Sequence, residues 1–199
     1  MKHWIALAVG LLAGASAMAQ AWPTKPIRFI VPFTAGSGTD IIARTVGDTM
    51  AKGLGQPIII ENKPGAGGTI AAAQVAKSEP DGYTILVHSS GHVVNPAIYT
   101  NLSYDTLKDL SGVVPMAALP NVLVVAPNRG WKTVGDLVAE AKAKPGKLNY
   151  ASAGVGAATH LNAEKFKMQA AFDAVHVPYK GTPEAITDVI GGRADWYFS

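Results

Sequence analysis

The sequence of 199 residues has no cysteine and little charge, since charged side chains make up only 16% of it. Without cysteine there is neither a disulfide framework nor a thiolate metal site. A hydrophobic content of 48% with so little charge excludes a disordered chain. The 17 basic residues exceed the 14 acidic ones only slightly and form no dense cluster, so the composition predicts no binding to nucleic acid.

The N-terminal part of the chain has the three-part pattern of a secretory signal peptide. Lys2 is followed by an uncharged run over residues 4–15, and two Ala-x-Ala signals end at Ala19 and Ala21. A run of about 12 residues is too short for a membrane-spanning helix, which needs ~20. We therefore predict a signal peptide over residues 1–21, cleaved after Ala21 or, as the alternative, after Ala19, and an exported mature protein.

Beyond residue 21, short apolar runs alternate with amphipathic helical patterns. Residues 27–33 form the first apolar run, and apolar side chains then recur every fourth residue on one helix face, at Ile42, Val46, Met50 and Leu54. Further strands are predicted at residues 57–60, 83–87, 122–126, 148–152, 174–179 and 194–198. Four further helices are predicted: one over residues 69–77, one that begins at residue 133, one that ends at about residue 171 and one that begins at residue 182. This alternation predicts an α/β fold with a mostly parallel sheet covered on both faces, in which ligands bind beyond the carboxyl ends of the strands.

Local signals mark the starts of two helices and the C-terminal part of the chain. Thr133 is followed by Asp136 at the spacing of a capping box, and Thr182 is predicted as an N-cap with Pro183 at the first helical position. Residues 196–199 begin a strand with no turn, cap or polar tail after it, which predicts a chain truncated at its C-terminus.

Two glycine-rich loops follow predicted strands and are the main candidates for a binding site. The first, residues 32–40, offers glycines for backbone turns with Ser and Thr hydroxyl groups beside them, and the second, residues 152–160, has the same form. Such loops aim backbone N–H groups at an anion, although an ordinary strand–helix turn capped by Thr39 or Asp40 is the alternative for the first loop. Neither loop matches the Walker or dinucleotide patterns, so no nucleotide cofactor is predicted.

Other side chains carry weaker signals. His88 and His92 are four residues apart, but residues 89–91 indicate a strand end that turns, and no carboxylate lies close by in the sequence, so no metal is predicted. His160 and His176 are predicted to be structural. The sequence lacks the G-x-S-x-G nucleophile elbow, yet an exported α/β hydrolase that assembles its serine and base in space stays open as the alternative function.

Arginine is absent from both glycine-rich loops. Arg28 lies in a predicted strand, Arg44 lies in a predicted helix, and Arg129 is also outside the loops. We therefore expect an acidic ligand to be held by backbone N–H groups, hydroxyl groups and water rather than by a guanidinium fork.

Segments along the whole chain after residue 21 resemble one family of exported receptors. They are Trp22-Pro23 with Pro26-Ile27-Arg28, Val31-Pro32-Phe33 with Gly36 and Asp40, Leu54-Gly55-Gln56-Pro57, Glu61-Asn62-Lys63-Pro64-Gly65-Ala66-Gly67-Gly68, Pro80-Asp81-Gly82-Tyr83-Thr84, Asn95-Pro96-Ala97-Ile98-Tyr99, Pro120-Asn121-Val122-Leu123-Val124-Val125, Leu148-Asn149-Tyr150-Ala151-Ser152-Ala153-Gly154 and His176-Val177-Pro178-Tyr179-Lys180-Gly181. In this order they are similar to the periplasmic solute-binding proteins of tripartite tricarboxylate transporters, also called the Bug family (Bordetella uptake gene receptors).

The resemblance implies a two-lobed periplasmic binding protein of α/β class, a type II-like Venus flytrap that is incomplete at its C-terminus. Residues 22–125 would form the first part of lobe 1, and residues 126–199 would form an incomplete lobe 2. The resemblance further implies a monomeric receptor in the periplasm, without enzymatic activity, cofactor or metal. It would capture a small carboxylate and deliver it to membrane permease subunits, with ligand sensing for signalling as the alternative.

The resemblance also maps the family's ligand loops onto three parts of this chain. The implied contacts are Phe33, Thr34, Ala35, Gly36, Ser37, Thr39 and Asp40 in the first loop, Ser89 and Ser90 after the third strand, and Ser152, Gly154, Ala157, Ala158 and Thr159 in the second loop. Many members carry a Pro-Pro-Gly-Gly type sequence where this chain has residues 34–37, and a serine-rich run where it has residues 157–159. Both departures fall in the implied pocket, so the ligand's identity does not follow from the resemblance.

Overall fold

The computed structural model describes residues 22–199, and the predicted signal peptide, residues 1–21, lies outside the described residues. Strands and helices alternate as the sequence predicts. In chain order they are β1 (Ile27–Val31), α1 (Gly38–Leu54), β2 (Ile58–Asn62), α2 (Thr69–Ala76), β3 (Thr84–Leu86), α3 (Gly91–Ile98), β4 (Leu123–Val125), α4 (Val134–Ala143), β5 (Asn149–Ser152), α5 (Ala158–Ala170), β6 (Val175–Pro178), α6 (Thr182–Ile190) and β7 (Trp196–Phe198), with short 3-10 helices at Ala66–Gly68 and Pro127–Arg129.

The strands form two separate sheets rather than one. The first sheet has the order β2-β1-β3 and is entirely parallel. The second has the order β4-β7-β5-β6, in which only β4 runs antiparallel, against β7. β4 thus belongs to the second sheet, although its last residue, Val125, is the predicted end of lobe 1. The division of the chain into lobes at that point stays a prediction.

Each sheet is buried because its central strand is apolar on both faces. In β1, the side chains of Ile27, Phe29, Ile30 and Val31 are at most 2% exposed. Ala43 of α1 packs against this strand. Small residues on that helix face let the helix lie close to the sheet, which increases the apolar surface removed from water.

The core of the second sheet is built from aromatic side chains. Trp196 and Tyr150 are fully buried, and their rings stack with centroids 4.8 Å apart. Leu137 of α4 completes the same cluster. Aromatic pairs add to the free energy gained from burial alone, by about 0.5–1.5 kcal/mol for each pair.

A glycine ends α1, and the predicted capping box begins α4. Gly55, immediately after α1, has a φ of 67°, a left-handed conformation in which glycine carries no steric penalty. At the start of α4, the Thr133 side chain accepts a hydrogen bond from the Asp136 backbone N–H, and Asp136 completes a full capping box.

The predicted start of α6 is wrong by one residue. Gly181 is the N-cap and Thr182 is already the first helical residue. The Thr182 hydroxyl pairs with the Tyr197 hydroxyl at 2.9 Å. The Thr182 side chain, which the local sequence favours as a cap, therefore hydrogen-bonds to Tyr197 of another element instead.

Helix α3 was not predicted from the sequence. Gly91 at its start and Pro96 in its interior are both poor helix formers, so they hide its periodicity. Within the described residues, no helix is both long and apolar enough to cross a membrane.

Candidate functional site

A cavity of about 950 Å³ lies among the loops that follow the strands of the two sheets. Most of the predicted ligand contacts line it: Phe33, Gly36, Ser37, Thr39, Ser89, Ser90, Ala157, Ala158 and Thr159. The two glycine-rich loops, about 120 residues apart in the sequence, therefore come together at one cavity, in the position expected for ligands of parallel α/β sheets. A smaller depression of about 510 Å³, between α4 and α5, lies away from these loops.

Five of the predicted contacts lie outside the lining of this cavity: Thr34, Ala35, Asp40, Ser152 and Gly154. The Thr34 hydroxyl donates a hydrogen bond of 2.9 Å to Oε2 of Glu184 on α6. Ala35 is exposed to solvent beside it. These two residues thus belong to the rim between the lobes.

Asp40 holds the first loop in place. Its buried carboxylate accepts hydrogen bonds from the Gly36 backbone N–H at 2.9 Å, from Asn62 Nδ2 at 2.8 Å and twice from the Arg44 guanidinium at 3.0 Å. Burial by itself raises the pKa of Asp40, but the hydrogen bonds from Arg44, Gly36 and Asn62 outweigh it and lower the pKa. Since Asn62 Nδ2 also donates to the Phe33 carbonyl at 2.9 Å, the ionised Asp40 ties the loop to α1 and β2.

Ser152 is fully buried beneath the second loop. Its Oγ lies 2.6 Å from Nε2 of His176 and accepts the Gly154 backbone N–H at 3.0 Å. A substrate in the cavity does not reach a hydroxyl enclosed in this way. The serine–histidine pair therefore supports the loop and does not form an accessible nucleophile and base.

Two histidines carry the second loop. The rings of His160 and His176 stack with centroids 4.3 Å apart, and Nδ1 of His160 accepts the Gly156 backbone N–H at 3.2 Å. Burial lowers the pKa of His176 to about 4 and also lowers the pKa of His160. Both rings are therefore neutral at pH 7, which is the state in which Nδ1 of His160 accepts a hydrogen bond.

The two lobes approach each other closely at glycines. A methyl group on Gly91 would lie 2.5 Å from the carbonyl oxygen of Gly156. A methyl group on Gly67 would overlap the Val155 carbonyl oxygen, and one on Gly181 would overlap the Thr34 hydroxyl. These loops meet across the cleft at distances that only glycine permits.

No charged side chain lines the cavity among the described residues. His88 is its one histidine, and burial lowers the pKa of His88 to about 4, so that the ring is neutral at pH 7. The three arginines considered above lie elsewhere and are engaged in ion pairs: Arg28 with Glu61, Arg44 with Asp40, and Arg129 with Asp195. The part of the chain described contains no group of three His, Cys, Asp or Glu side chains that would hold a metal ion.

α6 begins at the cavity with its Thr182 N–H donating to Ser37 Oγ, and three further helices begin there without side-chain caps. They are α1, α3 and α5, and Gly38, Ser90 and Ala158 at their starts line the cavity. α4, which carries a full capping box, begins outside the lining. Uncapped N-termini leave backbone N–H groups without side-chain partners beside the cavity, and the helix dipole there favours a negative charge by about 0.3–1 kcal/mol, or up to ~2 when partly buried.

Buried polar atoms beside these helix starts are also without partners. Nε2 of His88 and Oγ of Ser89 have no hydrogen-bond partner within residues 22–199. Nδ1 of His88 lies 2.8 Å from the backbone nitrogen of Ser89 and 3.1 Å from the Ser89 carbonyl oxygen, so Ser89 occupies this side of the ring and Nε2 is left on the other. Because buried polar groups normally have partners, these atoms indicate that water or a ligand completes the site.

Several lining residues were not predicted, and many of them are large and apolar. Ile41 and Ile42 lie on α1, Leu161 lies on α5, and the segment 114–120 supplies further apolar side chains. The four-residue spacing predicts Ile42 on the apolar face of α1, and nothing in the sequence distinguishes a helix face that lines a cavity from one that packs in the core. The segment 114–120 has no helical or strand period that would place it.

The family model described as "Tripartite tricarboxylate transporter family receptor" matches residues 42–199 of this chain. A UPF0065 protein in the tcbD-tcbE intergenic region of Pseudomonas sp. (strain P51) is 38% identical over 191 residues, which cover 96% of this chain and 57% of that protein. Protein BugT of Bordetella pertussis is 37% identical over 176 residues, covering 87% of this chain and 54% of BugT.

Solved structures show the same fold. A structure described as that of a periplasmic transporter is 44% identical with a TM-score of 0.84, and R. palustris Rpa4515, solved with adipate, is 34% identical with a TM-score of 0.86. In both cases the match covers 89% of this chain and 60% of the other. MatC from Rhodopseudomonas palustris, solved with bound malate, is 33% identical with a TM-score of 0.83, over 88% of this chain and 60% of MatC.

The chain therefore spans a little more than half the length of these curated relatives and about 60% of the solved ones. The predicted α/β, two-lobed fold of periplasmic binding proteins is confirmed. The chain belongs to the tripartite tricarboxylate transporter family of receptors, together with the Bug proteins.

Proposed function

We propose that this protein is a periplasmic receptor that captures a small carboxylate in the cleft between its lobes and delivers it to the permease subunits of a tripartite tricarboxylate transporter. In this role the protein binds its ligand and releases it unchanged, without a cofactor.

One observation carries the proposal: three uncapped helix N-termini converge on a cavity that has no charged side chain in its described lining. Backbone N–H groups and hydroxyls then supply the hydrogen bonds that a carboxylate requires, and no acidic side chain repels it. Of the predicted contacts, five hydroxyl residues lie at these helix starts and line the cavity, and we assign ligand binding to them: Ser37, Thr39, Ser89, Ser90 and Thr159.

The relatives support the same class of ligand. Two solved structures in the family hold dicarboxylates, adipate in Rpa4515 and malate in MatC. The expected export of this chain and its family support an encounter with the ligand in the periplasm, where a receptor collects solutes for a permease. Closure of two lobes about a hinge is the usual way in which such a cleft retains its ligand.

The proposal is tested by titrating the full-length gene product with a panel of mono-, di- and tricarboxylates in a calorimeter. We expect at least one carboxylate to bind and to raise the midpoint of thermal unfolding, since a ligand that binds only the native state stabilises it. The ligand is then recovered after long incubation. Recovery of the intact carboxylate agrees with a receptor, whereas turnover identifies an exported hydrolase.

Transport and signalling are separated by the permease. Deleting the genes of the proposed permease should abolish uptake of the bound carboxylate while its binding to the purified receptor persists. Uptake that continues unchanged in that strain, together with a lost transcriptional response to the ligand when the receptor gene is deleted, would assign the protein to signalling.

A further inference from the structure

We propose that each of the two glycine-rich loops is held in its binding geometry by the other lobe, and that Tyr99 and Glu184 are the positioning residues that hold them. The inference rests on the proposed function and deepens it, because it names side chains that retain the ligand without touching it. It follows from hydrogen bonds that join the two lobes on both sides of the cavity.

The first loop follows β1 of the first sheet but is held by the segment that leads into α6, between β6 and β7 of the second sheet. The Thr34 backbone N–H donates to the Lys180 carbonyl at 3.3 Å, and the Thr34 hydroxyl donates to the Glu184 carboxylate at 2.9 Å. Ser37 Oγ accepts the Thr182 backbone N–H at 3.1 Å. Backbone and side chains of the first loop are therefore both fixed from the other lobe.

The second loop follows β5 of the second sheet, and it is held in the same way from the first lobe. The Tyr99 hydroxyl, immediately after α3, donates a hydrogen bond of 2.9 Å to the Val155 carbonyl oxygen, in the middle of the loop. Burial raises the pKa of Tyr99, so its hydroxyl keeps its proton at pH 7 and acts as a donor. Gly67 and Gly91 lie close against the same loop. The holding of the loops is thus reciprocal.

Tyr99 and Glu184 act through the loops and not on the ligand. Neither side chain belongs to the described lining of the cavity, whereas Ser37 and Ala157 of the two loops do. Opening of the cleft about a hinge separates Tyr99 from Val155 and Glu184 from Thr34, so these two bonds exist only in the closed form. Loss of either bond should therefore speed release of the ligand, while capture by the open cleft proceeds as before.

A pair of tyrosine variants tests the role of Tyr99 in the full-length gene product. Tyr99→Phe removes only the hydroxyl that donates to Val155. Tyr104→Phe is the matched control, since the buried Tyr104 hydroxyl has no hydrogen-bond partner within residues 22–199 and Tyr104 lies outside the cavity lining. Stopped-flow mixing measures association and dissociation of the carboxylate that binds the unchanged protein most tightly in the panel above, starting from adipate and malate.

We expect Tyr99→Phe to raise the dissociation rate constant about fivefold, the effect of one lost hydrogen bond. Its association rate constant and its thermal midpoint without ligand should equal those of Tyr104→Phe. A Tyr99→Phe protein whose ligand-free midpoint falls while its dissociation rate matches the control has lost only a structural contact, which overturns the inference and leaves the proposed function standing. If no carboxylate of any class binds the unchanged protein, the proposed function itself fails, and this inference with it.

A pair of glutamate variants tests the other side of the cavity. Glu184→Ala removes the acceptor of the Thr34 hydroxyl and should also raise the dissociation rate constant, by about two- to fivefold, because this bond is more exposed to water. Glu79→Ala is the control, since Glu79 is an exposed glutamate outside the cavity lining. Equal dissociation rates in Glu184→Ala and Glu79→Ala would overturn the role of Glu184.

Discussion

The hydroxyl oxygen of Ser37 accepts a hydrogen bond of 3.1 Å from the backbone N–H of Thr182, across the cleft. Ser37 is the N-cap residue of α1, yet its side chain makes no cap to its own helix. It instead caps the first turn of α6 in the other lobe. A single hydroxyl thus joins the two halves of the site, and its partner lies 145 residues away in the sequence.

Replacing Ser37 should weaken ligand binding. Ser37→Ala leaves the Thr182 N–H without its acceptor when the cleft closes, and a lost hydrogen bond of this kind costs about 1 kcal/mol, or roughly a fivefold loss of affinity. Isothermal titration with the best carboxylate measures the effect. Ser78→Ala is the control, because the Ser78 hydroxyl bonds within its own segment, to the Gln74 carbonyl, outside the cavity. Equal affinities in the two variants would contradict the role of Ser37.

Asp40 should control the stability of the first loop. Asp40→Asn removes the charge that accepts hydrogen bonds from Gly36 and Arg44, and it should lower the free energy of unfolding by about 1–3 kcal/mol. Denaturant unfolding measures the change. Asp48→Asn, an exposed position on the same helix, should change the stability much less. Asp40→Asn with wild-type stability but no ligand binding would instead make Asp40 a direct ligand contact.

Gly91 should allow the two lobes to approach each other closely. Gly91→Ala introduces a methyl group 2.5 Å from the Gly156 carbonyl oxygen, so the cleft cannot close fully, and we expect the affinity for the ligand to fall at least tenfold. Gly53→Ala is the matched control in α1, where a methyl group would meet open space. That change should stabilise the protein by about 0.5–1 kcal/mol and leave the affinity unchanged. An unimpaired Gly91→Ala protein would show that the loops do not close as described.

Stability should fall as the solution becomes acidic, because of the buried histidines. The pKa of His176 is lowered to about 4, whereas it is about 6.5 in an unfolded chain, so the unfolded state binds more protons between these values. The stabilisation is therefore complete above about pH 6.5 and is lost as the pH falls towards 4.

The groups around His176 modify this behaviour in opposite directions. His160 and Lys167 lower its pKa further, and Glu164 raises it. His176→Gln should flatten the decline of the thermal midpoint between pH 6.5 and 4, because the variant has one group fewer to titrate. His88, whose pKa is also about 4, retains part of the slope. An identical slope in His176→Gln and the unchanged protein would show that His176 does not titrate as expected.

The order of the strands and helices was predictable because it depends on local patterns. The spacing of Ile42, Val46, Met50 and Leu54 identified α1, and the signal at Thr133 identified the start of α4. The helix α3 was missed, since its glycine and proline disfavour a helix that tertiary packing nevertheless stabilises. The glycine-rich loops were recognised as a candidate site, and both line one cavity.

The sequence by itself determined the elements, the family and the glycine-rich loops, since these follow from residues near one another in the chain. Only the tertiary structure decided what individual side chains do within those loops. Asp40 anchors the first loop, Ser152 is enclosed beneath the second, and Ile41 becomes part of the cavity wall. These roles depend on partners from other elements that meet only on folding, such as Asn62 for Asp40 and His176 for Ser152, and no local pattern specifies such partners.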